Sequence, residues 1–198
     1  MSGLWKKIEQ HDLPRYLTPG DVCYHAREYI AGGGWQASEA NQLILNFKKG
    51  PEKKATGEWY WKVRAIEQFA REVADLSLKD FCLVAIPTSK PNGHPQHDER
   101  FYLMLGELHR LRPKWHIEEP IVRAAPCQAQ HEGGNRSIHA ARRTMRWEGF
   151  EAIPSKGVFL IDDVLTWGTN FKACQQMIRE HHPDLPVGGL FWARTIWL

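Results

Sequence analysis

The stretch Val158-Phe159-Leu160-Ile161-Asp162-Asp163-Val164-Leu165-Thr166-Trp167-Gly168-Thr169-Asn170 narrows the choice of folds more than any other part of the chain. Its opening apolar run reads as a strand buried on both faces, the kind found inside a parallel sheet. Beyond Asn170, the residues Phe171, Cys174, Met177 and Ile178 share one helical face, and Pro183 and Pro186 end that helix. A buried strand that passes through two carboxylates into a helix is half of a βαβ unit. An unpaired carboxylate in apolar surroundings is strongly disfavoured, so Asp162 and Asp163 are expected to face a cleft.

The same alternation recurs upstream and downstream. Val63, Ile66, Phe69, Ala70 and Val73 follow helical spacing, with Lys62, Arg64, Glu67 and Arg71 between them as the charged side. Phe81-Cys82-Leu83-Val84-Ala85-Ile86 is a second buried-strand run, stopped by Pro87. A helix is expected over 101–112, a strand over 116–122 and a last strand over 187–193; the polar segment between Arg123 and Glu151 reads as a loop running into a short helix. Strands alternating with helices predict an α/β fold with a mainly parallel sheet flanked by helices, whose ligands sit at the carboxyl ends of the strands.

Residues 1–57 are less regular, with a strand expected over 21–29, a turn at Gly32-Gly33-Gly34 and an apolar segment over 40–48. They read as a small N-terminal layer of the same domain, set off from a core of residues 58–198 by the charged, turn-rich loop over 48–57. A length of 198 residues suits one such domain. The formal charge of +3 does not demand nucleic acid as a partner. No run approaches the roughly 20 apolar residues of a membrane span and the start lacks a secretory leader, so a soluble cytoplasmic protein is expected. Cys23, Cys82, Cys127 and Cys174 stand apart without metal-type pairing, which favours reduced thiols over disulfides or zinc.

The segment from Asp162 to Asn170 also carries the chemistry. Paired carboxylates accept well from a vicinal diol, and a Thr/Gly turn into a helix aims backbone N–H groups and the positive helix end at one point, where a phosphate binds. Together they fit a sugar phosphate. A plain strand-to-helix turn with solvated acids and a Thr or Asn cap would use the same residues.

Leu160 to Asn170 resembles the phosphoribosyl pyrophosphate (PRPP) motif of type I phosphoribosyltransferases: a hydrophobic strand, two acids and a Thr/Gly-rich loop. It agrees at Asp162, Asp163, Thr166 and Gly168, and departs at Trp167 and Asn170, where the family has small or hydroxylated residues. Leu45-Asn46-Phe47-Lys48, Ile86-Pro87-Thr88-Ser89-Lys90, Arg123 followed by Gln130 and Arg136, and Ala193-Arg194-Thr195 resemble the ComF-like branch, which spreads the likeness over most of residues 40–196.

The resemblance implies a type I phosphoribosyltransferase-like fold and transfer of phosphoribose from PRPP to a nitrogen acceptor, with release of pyrophosphate. By it, Asp162 and Asp163 hold the ribose hydroxyls and meet Mg²⁺ indirectly, through Mg-PRPP. Thr166, Trp167, Gly168, Thr169 and Asn170 form the 5-phosphate loop. Thr88, Ser89 and Lys90 take the pyrophosphate, and Lys90 and Arg136, the latter in a flexible loop, complete the catalytic set; Arg100, at the head of the expected helix, either reaches the pyrophosphate as well or closes a helix-start salt bridge. The implied ligand is PRPP or a nucleotide, without a membrane; a protein partner or a second copy of the chain stays open, and nucleic acid is not indicated. Two other readings use the same residues: a non-catalytic module that senses PRPP or a nucleotide, and a nucleotide-consuming effector of a defence or toxin system acting with a partner protein or nucleic acid.

Overall fold

The computed structural model describes residues 3–127 and 137–197. Its centre is a six-stranded sheet. The strands in chain order are β1 (Lys6–Lys7), β2 (Cys23–Ile30), β3 (Cys82–Ala85), β4 (His116–Ile117), β5 (Ile121–Arg123), β6 (Met145–Trp147), β7 (Val158–Leu165) and β8 (Val187–Ile196). The sheet runs β1-β2-β8-β7-β3-β4, all neighbours parallel except β1 against β2, while β5 and β6 form a separate antiparallel pair.

Helices cover both faces. On one lie α1 (Glu39–Phe47), α2 (Glu58–Ala74) and α3 (Arg100–Leu111), which bury Phe47, Phe69 and Met104 against Leu83, Ile161 and Trp192 of the sheet. On the other lie α4 (Ile138–Arg143) and α5 (Thr169–His181), whose Ala141, Phe171 and Ile178 pack with Val84, Leu160 and Phe191. The alternation of Leu160 and Ile161 between these two cores is the period-2 pattern of a strand buried on both sides. Trp192 anchors the first core: fully buried, it stacks on Phe69 at 4.6 Å and donates from its indole nitrogen to Glu72 at 2.7 Å.

Some expectations need correction. The segment expected as one strand over 116–122 divides, because Pro120 has no N–H to continue the ladder. β4 stays on the main sheet beside β3, whereas β5 turns away to pair with β6. The N-terminal residues are not merely a layer over the core, since β2 is an interior strand parallel to β8. Lys62, expected on the charged side of α2, is fully buried. Among the described residues, no helix is long and apolar enough to cross a membrane.

The connection β3–α3–β4 winds one way from the middle of the sheet and β7–α5–β8 the other, with α3 and α5 on opposite faces. The adjacent carboxyl ends of β3 and β7 therefore form a topological switch point. Open α/β sheets bind their ligands in the crevice such a reversal creates.

Candidate functional site

A cleft of about 760 Å³ opens at that point, with Thr88 and Ser89 after β3 on one side and Asp162, Asp163, Thr166 and Asn170 on the other. The β3 side is held by a buried arginine. Arg123 donates from Nε to Thr88 O at 2.7 Å and from Nη2 to Pro87 O at 2.8 Å, and its Nη1 reaches Thr144 Oγ1. A planar guanidinium with several donors suits this bracing of a turn from below. Further out, Cys127 N donates to Ser89 O at 2.9 Å and His97 Nδ1 to Lys90 O at 2.8 Å.

On the facing side β7 continues through both acids to Leu165, so they lie inside the strand and not beyond its end. Strand alternation then sends them to different faces. Asp162 lies toward α5 and keeps partial exposure; its Oδ1 accepts the N–H of Asp163 at 2.8 Å. Asp163 lies toward α1 and α3, is 4 % exposed, and is met by Lys48 Nζ at 3.4 Å and Arg100 Nη2 at 2.8 Å. Arg100 in turn donates to Asp98 at 2.6 Å, and Asp98 accepts from Lys62 at 2.6 Å. Five charges thus alternate in sign from Lys48 to Lys62.

This chain corrects the expectation of two free cleft carboxylates: Asp163 is committed to an ion-pair network. It also sets the protonation of the pair. Burial pushes Asp162 up to about 7, with the neighbouring negative charge of Asp163 adding to the effect. Burial would raise Asp163 as well, but Lys48 and Arg100 hold its carboxyl below the usual range. Arg100, partly buried, is held firmly in its charged form by Asp163 and Asp98.

The loop after β7 turns at Gly168, where φ is +81°. Only glycine adopts this left-handed conformation without strain, and a Cβ there would lie 2.2 Å from Leu17 Cδ1. The turn delivers the first residues of α5 to the cleft rim, and the leading N–H groups of any helix lack partners within the helix. Trp167 does not line the cleft. Its ring packs beside Tyr16, 6.4 Å between centroids, and under the Arg15 guanidinium at 4.8 Å, while its carbonyl accepts from Tyr16 N at 3.0 Å.

Of the expected site residues, the structure gathers Asp162, Asp163, Thr166, Asn170, Thr88, Ser89 and Arg100 around one cleft. Lys90 lines a neighbouring cavity of about 620 Å³, across the Pro87–Thr88 turn. Gly168 and Thr169 are buried behind the rim. Arg136 and Gln130 lie outside the described residues. No cluster of three or more His, Cys, Asp or Glu side chains placed to hold a metal ion occurs among the described residues.

Sequence reasoning overlooked Lys48, Lys62 and Asp98 as parts of the site. For Lys62 the signal was present: it stands three residues before Ala65, four before Ile66 and seven before Phe69, on the buried stripe of α2. A lysine on such a stripe needs buried acceptors. Lys48 follows directly from Phe47, which makes edge-to-face contacts with Phe69, Phe101 and Trp192 at 5.4 to 5.5 Å and so fixes the end of α1 beside the start of α3. Compared with models of known protein families and with curated protein sequences, the chain matches none.

Proposed function

We propose that this cleft binds a ribose 5-phosphate ligand, PRPP foremost, and that the protein transfers its phosphoribosyl group to a nitrogen acceptor. The observation that carries the proposal is the succession along β7 and α5: a partly exposed carboxylate at the switch point, then a turn through a left-handed glycine that brings a helix start to the same rim. Asp162 accepts from the ribose hydroxyls, and the backbone of Thr166 to Asn170 holds the 5-phosphate. Thr88 and Ser89, across the cleft, face the pyrophosphate, with Lys90 beyond them.

In the reaction, the C1–oxygen bond breaks with its electron pair leaving on pyrophosphate, a nitrogen lone pair forms the new bond to C1, and the nitrogen releases its proton to solvent. The residues act by positioning and by electrostatics. One carboxylate together with ligand phosphate oxygens is a donor set that suits Mg²⁺, which would neutralise charge on the leaving group. Asp162 is the side chain to face it, Asp163 being paired.

A second reading, binding without turnover, draws on the commitment of Arg100 and Lys48 to Asp163: two of the cations at the cleft are already neutralised. Calorimetry with PRPP and Mg²⁺, followed by a pyrophosphate-release assay with a panel of nitrogenous bases, separates the two. Binding with release supports transfer, binding without release supports the sensor, and absence of binding removes both.

A further inference from the structure

We propose that Lys62 is a positioning residue that sets both cations facing Asp163, fixing Lys48 through the backbone on either side of it and Arg100 through Asp98. The side chain is fully buried. An ammonium has three N–H donors, and the three acceptors around Lys62 Nζ match them: Phe47 O at 3.1 Å, Lys49 O, and Asp98 Oδ1 at 2.6 Å. The two carbonyls belong to the residues immediately before and after Lys48. Holding both fixes the peptide from which Lys48 reaches Asp163 Oδ1 at 3.4 Å.

The third acceptor works on the other cation. Asp98 accepts the backbone N–H of Arg100 at 3.1 Å and its Nη1 N–H at 2.6 Å, which leaves Nη2 within ion-pair distance of Asp163 Oδ2, at 2.8 Å and without hydrogen-bond alignment. With Lys62 removed, Asp98 would lose its compensating charge and draw Arg100 toward itself, and the turn carrying Lys48 would lose its anchor. Both changes act on the same carboxylate. The Trp59 ring, 5.4 Å from Lys62 Nζ, further walls the ammonium from water. Burial lowers the pKa of Lys62 and the Asp98 carboxylate opposes that shift, so the charge and the anchoring depend on one another.

A lysine serving stability alone would lower the melting temperature and leave the cleft cations as they were. The two roles are separated by following solvent exchange of the Arg100 Nη N–H groups, which make the contacts to Asp98 and Asp163, in nitrogen-15 spectra of the full chain without ligand, for the parent, Lys62→Met, Asp98→Asn and the double variant. Calorimetric titration with Mg-PRPP accompanies it. If Lys62 acts through Asp98, exchange at Arg100 quickens about tenfold or more in Lys62→Met, and the double variant adds little to either single change because the residues lie on one path. Mg-PRPP affinity falls about tenfold in the same variant, this arm alone resting on the function proposed above.

A folded Lys62→Met protein with parental exchange at Arg100 overturns the inference, as does strict additivity in the double variant. Should Lys62→Met fail to fold, Asp98→Asn and Lys62→Arg decide: quickened exchange in the first and parental exchange in the second support the inference, and the reverse pattern refutes it. A parent that does not bind Mg-PRPP counts against the proposed function, while the exchange measurement still decides the role of Lys62.

Discussion

Arg100 Nη2 lies 2.8 Å from Asp163 Oδ2, so the second acid of the β7 pair is held from the start of α3. Without Asp163, Arg100 keeps only Asp98 and the partly buried Lys48 loses its carboxylate, so two cations beside the core are left under-compensated. Asp163→Asn is therefore expected to lower stability by about 2 to 4 kcal/mol, a visible fall in melting temperature. Melting of the single variants tests it: Asp163→Asn must be well below the parent, and an unchanged value refutes the buried network.

Asp162 should behave in the opposite sense. Its folded pKa stands at about 7, above the ordinary 3.8, so the folded chain binds this proton more tightly than the unfolded chain. Stability from this group is complete below pH 4, declines as pH rises toward 7 and is level above it. Asp162→Asn, which cannot ionise, should be more stable than the parent by about 1 to 3 kcal/mol at pH 8 and nearly equal to it at pH 4. Denaturant titrations at the two pH values measure the difference; equal gaps at both would show that Asp162 titrates normally.

Ligand binding should follow the same proton. Ribose hydroxyls and Mg²⁺ both prefer the carboxylate, so Mg-PRPP affinity should rise between pH 6 and 8 in the parent and be flat in Asp162→Asn, at a weaker level. Calorimetry across that range checks it, with the second ionisation of the phosphate groups controlled by a matched titration of inorganic phosphate.

Gly168→Ala should damage the turn between β7 and α5 twice over, through its left-handed backbone and through the 2.2 Å approach to Leu17 Cδ1. A loss of about 2 kcal/mol or more is expected, of which the conformational part, about 1 kcal/mol, remains when Leu17→Ala removes the clash. Melting of the two singles and the double resolves the parts. Full recovery in the double variant would mean that the turn tolerates a side chain.

Trp167 packs on Tyr16 and Arg15, away from the cleft. Trp167→Thr with Asn170→Thr should thus leave Mg-PRPP affinity near the parent or weaken it, while costing some stability through the lost ring contacts. A sharp gain in affinity, by contrast, would place the indole in the space of the phosphate.

The periodicity of the apolar residues made the α/β alternation legible, and β3, β7, α2 and α5 were readable because each buries a continuous run or a regular stripe. What stayed hidden depends on contacts distant in sequence. Nothing local separates Asp162 from Asp163, because their difference arises from which helix faces each side of β7. The pairing of Lys62 with Asp98 spans 36 residues and brings together two ionic side chains whose usual place is the surface. Pro120, by contrast, marks the division of the segment over 116–122 in the sequence itself, since it has no N–H to continue a ladder.

Both margins of the six-stranded sheet are strands of two residues, Lys6–Lys7 and His116–Ile117. A strand that short offers an incoming chain few free hydrogen-bonding groups, and lysine on one margin adds charge repulsion between like copies. Growth of the six-stranded sheet from molecule to molecule is thereby discouraged at each end.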